Sequence, residues 1–126
     1  MSNWQTHVDA MTSSGVVKKA AIYDTQGVLG GATDGFALQG EEFKGLYMLF
    51  AQPGDAFTSG VVVNGVTYLT LRAEADKIYG RKGTDGVVVA RTGKTFIIGV
   101  HDEGSSTQAA AVVVEGLADQ LRGTGN

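Results

Sequence analysis

Two histidines, His7 and His101, are the only imidazoles in the chain, and cysteine is absent. Without a thiol there is no disulfide, no thiolate nucleophile and no thiolate metal site. The histidines follow no H-E-x-x-H or comparable spacing that would bring two rings to one metal ion. His7 reads as a helix-surface residue and His101 as the end of a strand. Thr92-Gly93-Lys94-Thr95 looks like the end of a phosphate-binding loop, but that motif needs a glycine where Val88 stands, so a hairpin turn is the better reading. No serine sits in G-x-S-x-G. Glu41 and Glu42 are neighbours in a predicted helix and point in different directions, which does not suit a carboxylate pair. No group of residues converges on a reaction, so the expectation is a protein that is not an enzyme and that carries no cofactor and no metal.

Binding chemistry is better represented. The stretch YGRKGTDGV at 79–87 sets an aromatic ring and two cations beside a glycine-rich turn, where the backbone can bend sharply while Arg81 and Lys82 stay exposed at a sheet edge. Between Arg72 and Lys94 six basic residues (Arg72, Lys77, Arg81, Lys82, Arg91, Lys94) stand against three acidic ones (Glu74, Asp76, Asp85), although the chain as a whole carries a net charge of -3. A basic segment within an acidic protein suits a particular acidic partner better than nucleic acid, which calls for a strongly basic domain. The same residues would equally serve as solvated strand faces that discourage aggregation, and the sequence leaves both readings open.

The elements that must carry these residues follow from periodicity. With 126 residues, 43% hydrophobic and 18% charged, the chain suits one soluble domain spanning 1–126. No apolar run reaches the roughly 18 residues of a membrane span, and the N-terminus lacks a basic-then-apolar leader, so a cytoplasmic protein is expected. From about Asn3 to Thr12, Trp4, Val8 and Met11 recur at helical spacing with His7 beside them. VVKKAAIY at 16–23 reads as a strand and VLGGAT as a second one, weakened by Gly30 and Gly31. GEEFKGLYMLFAQPG reads as a helix that presents Phe43, Leu46, Tyr47 and Phe50 and is stopped by Pro53-Gly54. Asn64-Gly65, between two β-rich arms, predicts a type I′ hairpin. KIYGR, GVVVAR and TFIIGVH continue as strands whose short connections force antiparallel pairing, a meander. The last helix puts Ala110, Val113 or Val114, Leu117 and Leu121 on one face after a Ser/Thr cap region. The fold class is therefore α+β, with helices covering a central antiparallel sheet.

In this order the segments resemble a known family. SNWQTHVDAM is similar to the profilin N-terminal signature S-W-Q-x-Y-V-D with one residue inserted, and AAIYDTQG, GVTYLTLRAEADKIYGRKGTDGVVVARTGKTFIIGVHDE and VVEGLADQLRGTG resemble successive profilin segments, especially amoeboid and plant-like ones. The likeness covers essentially the whole chain. It implies terminal helices on one face of the sheet and shorter helices on the other. It also implies binding of monomeric actin, regulation of actin assembly, and interaction with proline-rich segments and phosphoinositides.

Carried over by position, the resemblance assigns the actin surface to Thr70, Arg72, Arg81, Lys82, Thr84, Val113 and Gly116. Actin is acidic, which fits the basic segment. Gly116 and Thr67 stand where many relatives carry longer polar or charged side chains. The cradle that profilins use for a polyproline helix is reduced: Trp4 matches, but His7 replaces a tyrosine, Gly30 falls where a strand tryptophan is expected, Gln120 takes a Tyr/His position and Asn126 stands where an aromatic is often found. If each lost anchor is worth about 1.4 kcal/mol, two losses weaken binding about a hundredfold. Trp4 is then expected mainly to pack between the terminal helices. Phosphoinositides are a secondary expectation through Arg72, Arg81, Lys82 and Lys94. The resulting reading is a monomeric actin-binding regulator with weak or absent polyproline binding. The alternative is a small-molecule-sensing or adaptor domain of similar architecture, which would need an apolar cavity with converging polar groups.

Overall fold

The computed structural model describes residues 4–126. The first helix, α1, spans Trp4–Ser13 and buries Val8 and Met11. Asn3, where the sequence places its start, lies outside the described residues. Ser14 closes the helix by donating its hydroxyl to the Met11 carbonyl at 2.6 Å. The same oxygen accepts from the Val16 amide at 3.1 Å. That turn delays the first strand, so β1 is Lys19–Asp24 and begins later than the run of β-prone residues suggests. Val17 is nonetheless buried without belonging to the strand.

β2 is Leu29–Ala32. α2, Glu42–Ala51, turns Leu46, Leu49 and Phe50 inward. Tyr47, expected on that buried face, is instead 40% exposed, with Leu49 inward in its place. Pro53 ends α2 as expected, and the chain then makes a 3-10 turn at Pro53–Asp55 and a short helix, α3, at Ala56–Ser59. Sequence periodicity did not anticipate either, because a single turn has no repeat to detect. The remaining strands are β3 (Val61–Val63), β4 (Val66–Ala73), β5 (Lys77–Lys82), β6 (Asp85–Arg91) and β7 (Thr95–His101). Between β3 and β4, Asn64 and Gly65 take φ of 51° and 79°, as a type I′ turn demands. Both oxygens of Glu42 accept amides from this turn, Asn64 N–H at 2.6 Å and Gly65 N–H at 2.7 Å, which ties it to the first turn of α2.

The strands form one antiparallel sheet in the order β2-β1-β7-β6-β5-β4-β3. It is a meander from β3 to β7, and β7 also pairs with β1, so Ala21 faces Ile98 across the seam. Strands in the middle of the sheet are buried on both faces. On one side Ala21, Tyr23, Val87, Val89, Phe96 and Ile98 pack against Leu46, Leu49 and Phe50 of α2 and Ala56 of α3. On the other side Ala20, Ile22, Val88, Ala90 and Ile97 pack against Val8 and Met11 of α1 and against the final helix, α4, Thr107–Gly123. The terminal helices thus share one face and the short helices the other.

α4 is capped by Ser106, whose hydroxyl oxygen accepts from the Ala109 amide at 3.1 Å. Its buried face is Ala110, Val114, Leu117 and Leu121, so Val114 and not Val113 fills the place the sequence left open. The helix comes close to β7 because Gly99 leaves room: a Cβ there would stand 2.6 Å from a methyl of Val114. His101 is buried at the end of β7, with Nδ1 2.9 Å from the Asp102 carbonyl oxygen and Nε2 2.9 Å from the Thr107 hydroxyl. A neutral ring that donates from Nδ1 and accepts at Nε2 satisfies both contacts.

Candidate functional site

α4 packs on β6, β7 and part of β5 but does not reach across β4. The face of β4 on that side is therefore bare. Alternation along the strand sends Tyr68 and Thr70 into the layer beneath α2 and α3, and turns Thr67 and Leu69 outward. Between Thr70 and Arg72 the pairing with β5 slips by one residue, a bulge at which Leu71 and Arg72 are both exposed. Leu69 is 70% exposed, Leu71 46%, and Val112 of α4 71%. Single exposed apolar side chains are ordinary, but these line two adjoining clefts.

The first cleft, of about 660 Å³, lies between the β4–β5 edge and α4 and is lined by Leu71, Arg72, Tyr79, Val112, Glu115 and Gly116, among others. The second, of about 550 Å³, is lined by Thr67, Leu69, Leu71, Arg81, Lys82 and Gly83. Leu71 belongs to both. Arg81 stands directly opposite Leu69, so a cation flanks the apolar strip on its own face.

Charged groups at the α4 side are already organised. Glu115 accepts a hydrogen bond from the Tyr79 hydroxyl and one from Lys77 Nζ at 2.9 Å. Arg72 donates through Nε to Glu74, and its guanidinium carbon lies 5.7 Å from the centre of the Tyr79 ring. Burial, followed by the hydrogen bond to Glu115, pushes the Tyr79 hydroxyl up to about 12. Burial alone would raise Glu115, but the hydrogen bonds from Tyr79 and Lys77 outweigh it and hold the carboxyl below its ordinary range. The bond to Glu115 likewise raises Lys77.

Of the residues carried over from the family resemblance, Arg72, Arg81, Lys82 and Gly116 line these clefts, and Thr84 is exposed in the adjoining β5–β6 turn. Thr70 is not on this face: it is buried, and its hydroxyl donates to the Ala56 carbonyl at 2.5 Å. Val113 is half-buried against the core, while its neighbour Val112 points into the cleft. Leu69, Leu71, Val112 and Glu115 were not singled out from the sequence, whereas Tyr79 is the aromatic ring of the YGRKGTDGV stretch. Lys94 lies in the β6–β7 turn, at the other end of β6 from Lys82. At about 3.4 Å per residue that strand separates them by about 20 Å.

The residues named for a proline-rich ligand are arranged differently. The rings of Trp4 and His7 are 5.8 Å apart and tilted by 46°. Trp4 packs against the core cluster that the two terminal helices share, and it also lies over β2, where a Cβ on Gly30 would stand 2.7 Å from its Cδ1. It therefore occupies the volume that a side chain at position 30 would need. Gln120 is exposed on α4, and among the described residues no hydrogen bond or ring contact joins it to that pair.

Among the described residues, no group of three or more His, Asp or Glu side chains could hold a metal ion, and no helix is long and apolar enough to cross a membrane. The family model described as Profilin matches residues 2–126. Profilin-1 of Dictyostelium discoideum is 33% identical over 124 residues, covering 98% of each chain. The structure of Acanthamoeba castellanii profilin IA is similar with a TM-score of 0.92 and 39% identity, over 98% of this chain and 99% of that one. A Schizosaccharomyces pombe profilin structure gives a TM-score of 0.93 at 33% identity, over the same shares. The helix placement, the sheet order and the run of matched residues agree, and the chain belongs to the profilin family.

Proposed function

We propose that this chain binds monomeric actin through the face formed by β4, β5 and α4, and regulates actin polymerisation by nucleotide exchange, sequestration or delivery of monomers to growing ends. It acts in the cytoplasm, as a single 1–126 domain and a monomer, without turnover of its own. The observation that carries this reading is the apolar strip of Leu69, Leu71 and Val112 edged by Arg72, Arg81 and Lys82. A partner gains affinity from covering the leucines and valine, and an acidic one is drawn to the site by the cations. Family membership supports the same assignment. A sensor domain is a poorer fit, since the clefts on this face open to solvent and do not enclose an apolar ligand.

Polyproline binding is weak or absent in this reading. A polyproline helix needs facing aromatic walls, whereas Trp4 is folded down over β2 and Gln120 supplies no ring. Phosphoinositide binding is a minor property of Arg72, Arg81, Lys82 and Lys94, because Lys94 is remote from the others and the net charge of -3 opposes an anionic surface. The test of the main reading is assembly of pyrene-labelled actin with the wild-type protein and with Arg81→Glu/Lys82→Glu. The wild type slows or redirects assembly and the reversed variant does not. A folded wild-type protein that leaves assembly unchanged and forms no complex with the monomer would defeat it.

A further inference from the structure

We infer that Tyr79 is a positioning residue for the partner face, its ring holding the Arg72 guanidinium in the orientation in which it meets the partner, an inference that rests on the proposed actin-binding reading. Arg72 is exposed, and an exposed arginine ordinarily samples many rotamers and loses that freedom on docking. Here two contacts restrain it at once. Its Nε is bonded to Glu74, and its guanidinium carbon lies over the Tyr79 ring, 5.7 Å from the ring centre. Its two terminal amino groups make no hydrogen bond among the described residues, so the end of the fork stays available in the cleft between β4 and α4.

The ring is itself fixed from the far side. Tyr79 stands directly opposite Arg72 across the β4–β5 pair, which places both side chains on one face. Its hydroxyl is anchored on Glu115 of α4, and Lys77 Nζ holds the second oxygen of that carboxylate at 2.9 Å. The bulge at Leu71 brings Arg72 into register with Tyr79, so strand irregularity, ring and helix carboxylate all serve one guanidinium. Glu115 lines the same cleft as a carboxylate, and the Lys77 ammonium paired with it offsets its charge toward an acidic partner.

The test is a double-mutant cycle on actin-monomer affinity. Tyr79→Phe keeps the ring and stays within about threefold of wild type. Tyr79→Leu loses the stacking surface and weakens binding about fivefold to tenfold. In an Arg72→Ala background the same Tyr79→Leu change costs less than about twofold, because nothing is left to orient. An equal loss in both backgrounds, with thermal melts unchanged, overturns the inference. A second measurement needs neither actin nor the leucine variant: in the free protein the Arg72 side-chain protons show upfield ring-current shifts in wild type and in Tyr79→Phe. Random-coil positions there also overturn it. Should wild-type protein fail to bind actin at all, the functional reading falls, while the proton shifts still decide whether the ring orients the arginine.

Discussion

The chain carries its aromatic and cationic side chains in two different states at its two surfaces. At α1 and β2, the Trp4 ring lies over Gly30, 5.8 Å from His7, and packs against the core beneath the terminal helices, with Val28 and Leu29 exposed beside it. At β4, β5 and α4, leucines and arginines are turned outward, although a strand could as readily have buried them. Packing Trp4 against β2 gains contact area for the fold. Leaving Leu69 and Leu71 in water costs about 1 to 3 kcal/mol of forgone burial for each side chain. A partner that covers the strip recovers that cost, which is the reading proposed for this face.

The contrast can be broken at several points. The largest effect is expected from Arg81→Glu with Lys82→Glu, which should weaken actin-monomer binding by about a hundredfold, as read by suppression of pyrene-actin assembly. A loss under about threefold would mean that the cations are only a solvated edge. At the opposite surface, decaproline followed by Trp4 fluorescence should not saturate at micromolar concentrations with the wild type. His7→Tyr with Gln120→Tyr should then gain about tenfold, since aromatic walls are what that surface lacks. Micromolar saturation by the unmodified chain would erase the distinction between the two regions.

Smaller effects concern stability. Gly30→Ala should cost about 1 kcal/mol in denaturant unfolding and shift the Trp4 emission, because the added methyl displaces the indole. An unchanged emission maximum would show that the ring does not rest on β2. The smallest effect is a pH dependence at the other region. Glu115 has a lowered pKa in the fold, so its contribution is present above the unfolded carboxylate value and is lost as the pH falls through the folded one. Tyr79, raised to about 12, contributes below 10 and loses that contribution as the pH climbs between the two. Wild type should therefore exceed Glu115→Gln in stability by about 0.5 to 1 kcal/mol near pH 6, with the gap closing as the pH falls below the ordinary carboxylate range. A gap that widens in acid would reverse the sign of this argument.

Much of the architecture was legible because its signals are local. Asn64-Gly65 has one favourable turn geometry, the Ser106 cap precedes an apolar periodicity, and short links between β-rich runs permit only antiparallel neighbours. The candidate face was harder to read. In VTYLTL both alternating sets include apolar residues, so period two cannot say whether Tyr68 and Thr70 or Leu69 and Leu71 point inward. The decision comes from α3, whose Ala56 carbonyl takes the Thr70 hydroxyl, and α3 is itself too short to register in sequence. Val112 and Val113 differ by one step around a helix, and only packing against β6 and β7 tells which is turned out. The contact of Trp4 with β2 was illegible for a similar reason: nothing in the sequence says that the space above Gly30 is open to the indole until the strand is seen beneath it.

The seam between β1 and β7 bears on how the molecule is made. Ala21 waits for Ile98, so a nascent chain emerging from the ribosome carries an unsatisfied strand edge until most of its length has been synthesised. Premature termination before Thr95 leaves that edge, and the apolar side of α1, open to other chains. Truncated products are therefore candidates for aggregation or proteolytic clearance, and α4 is synthesised only after every strand of the sheet.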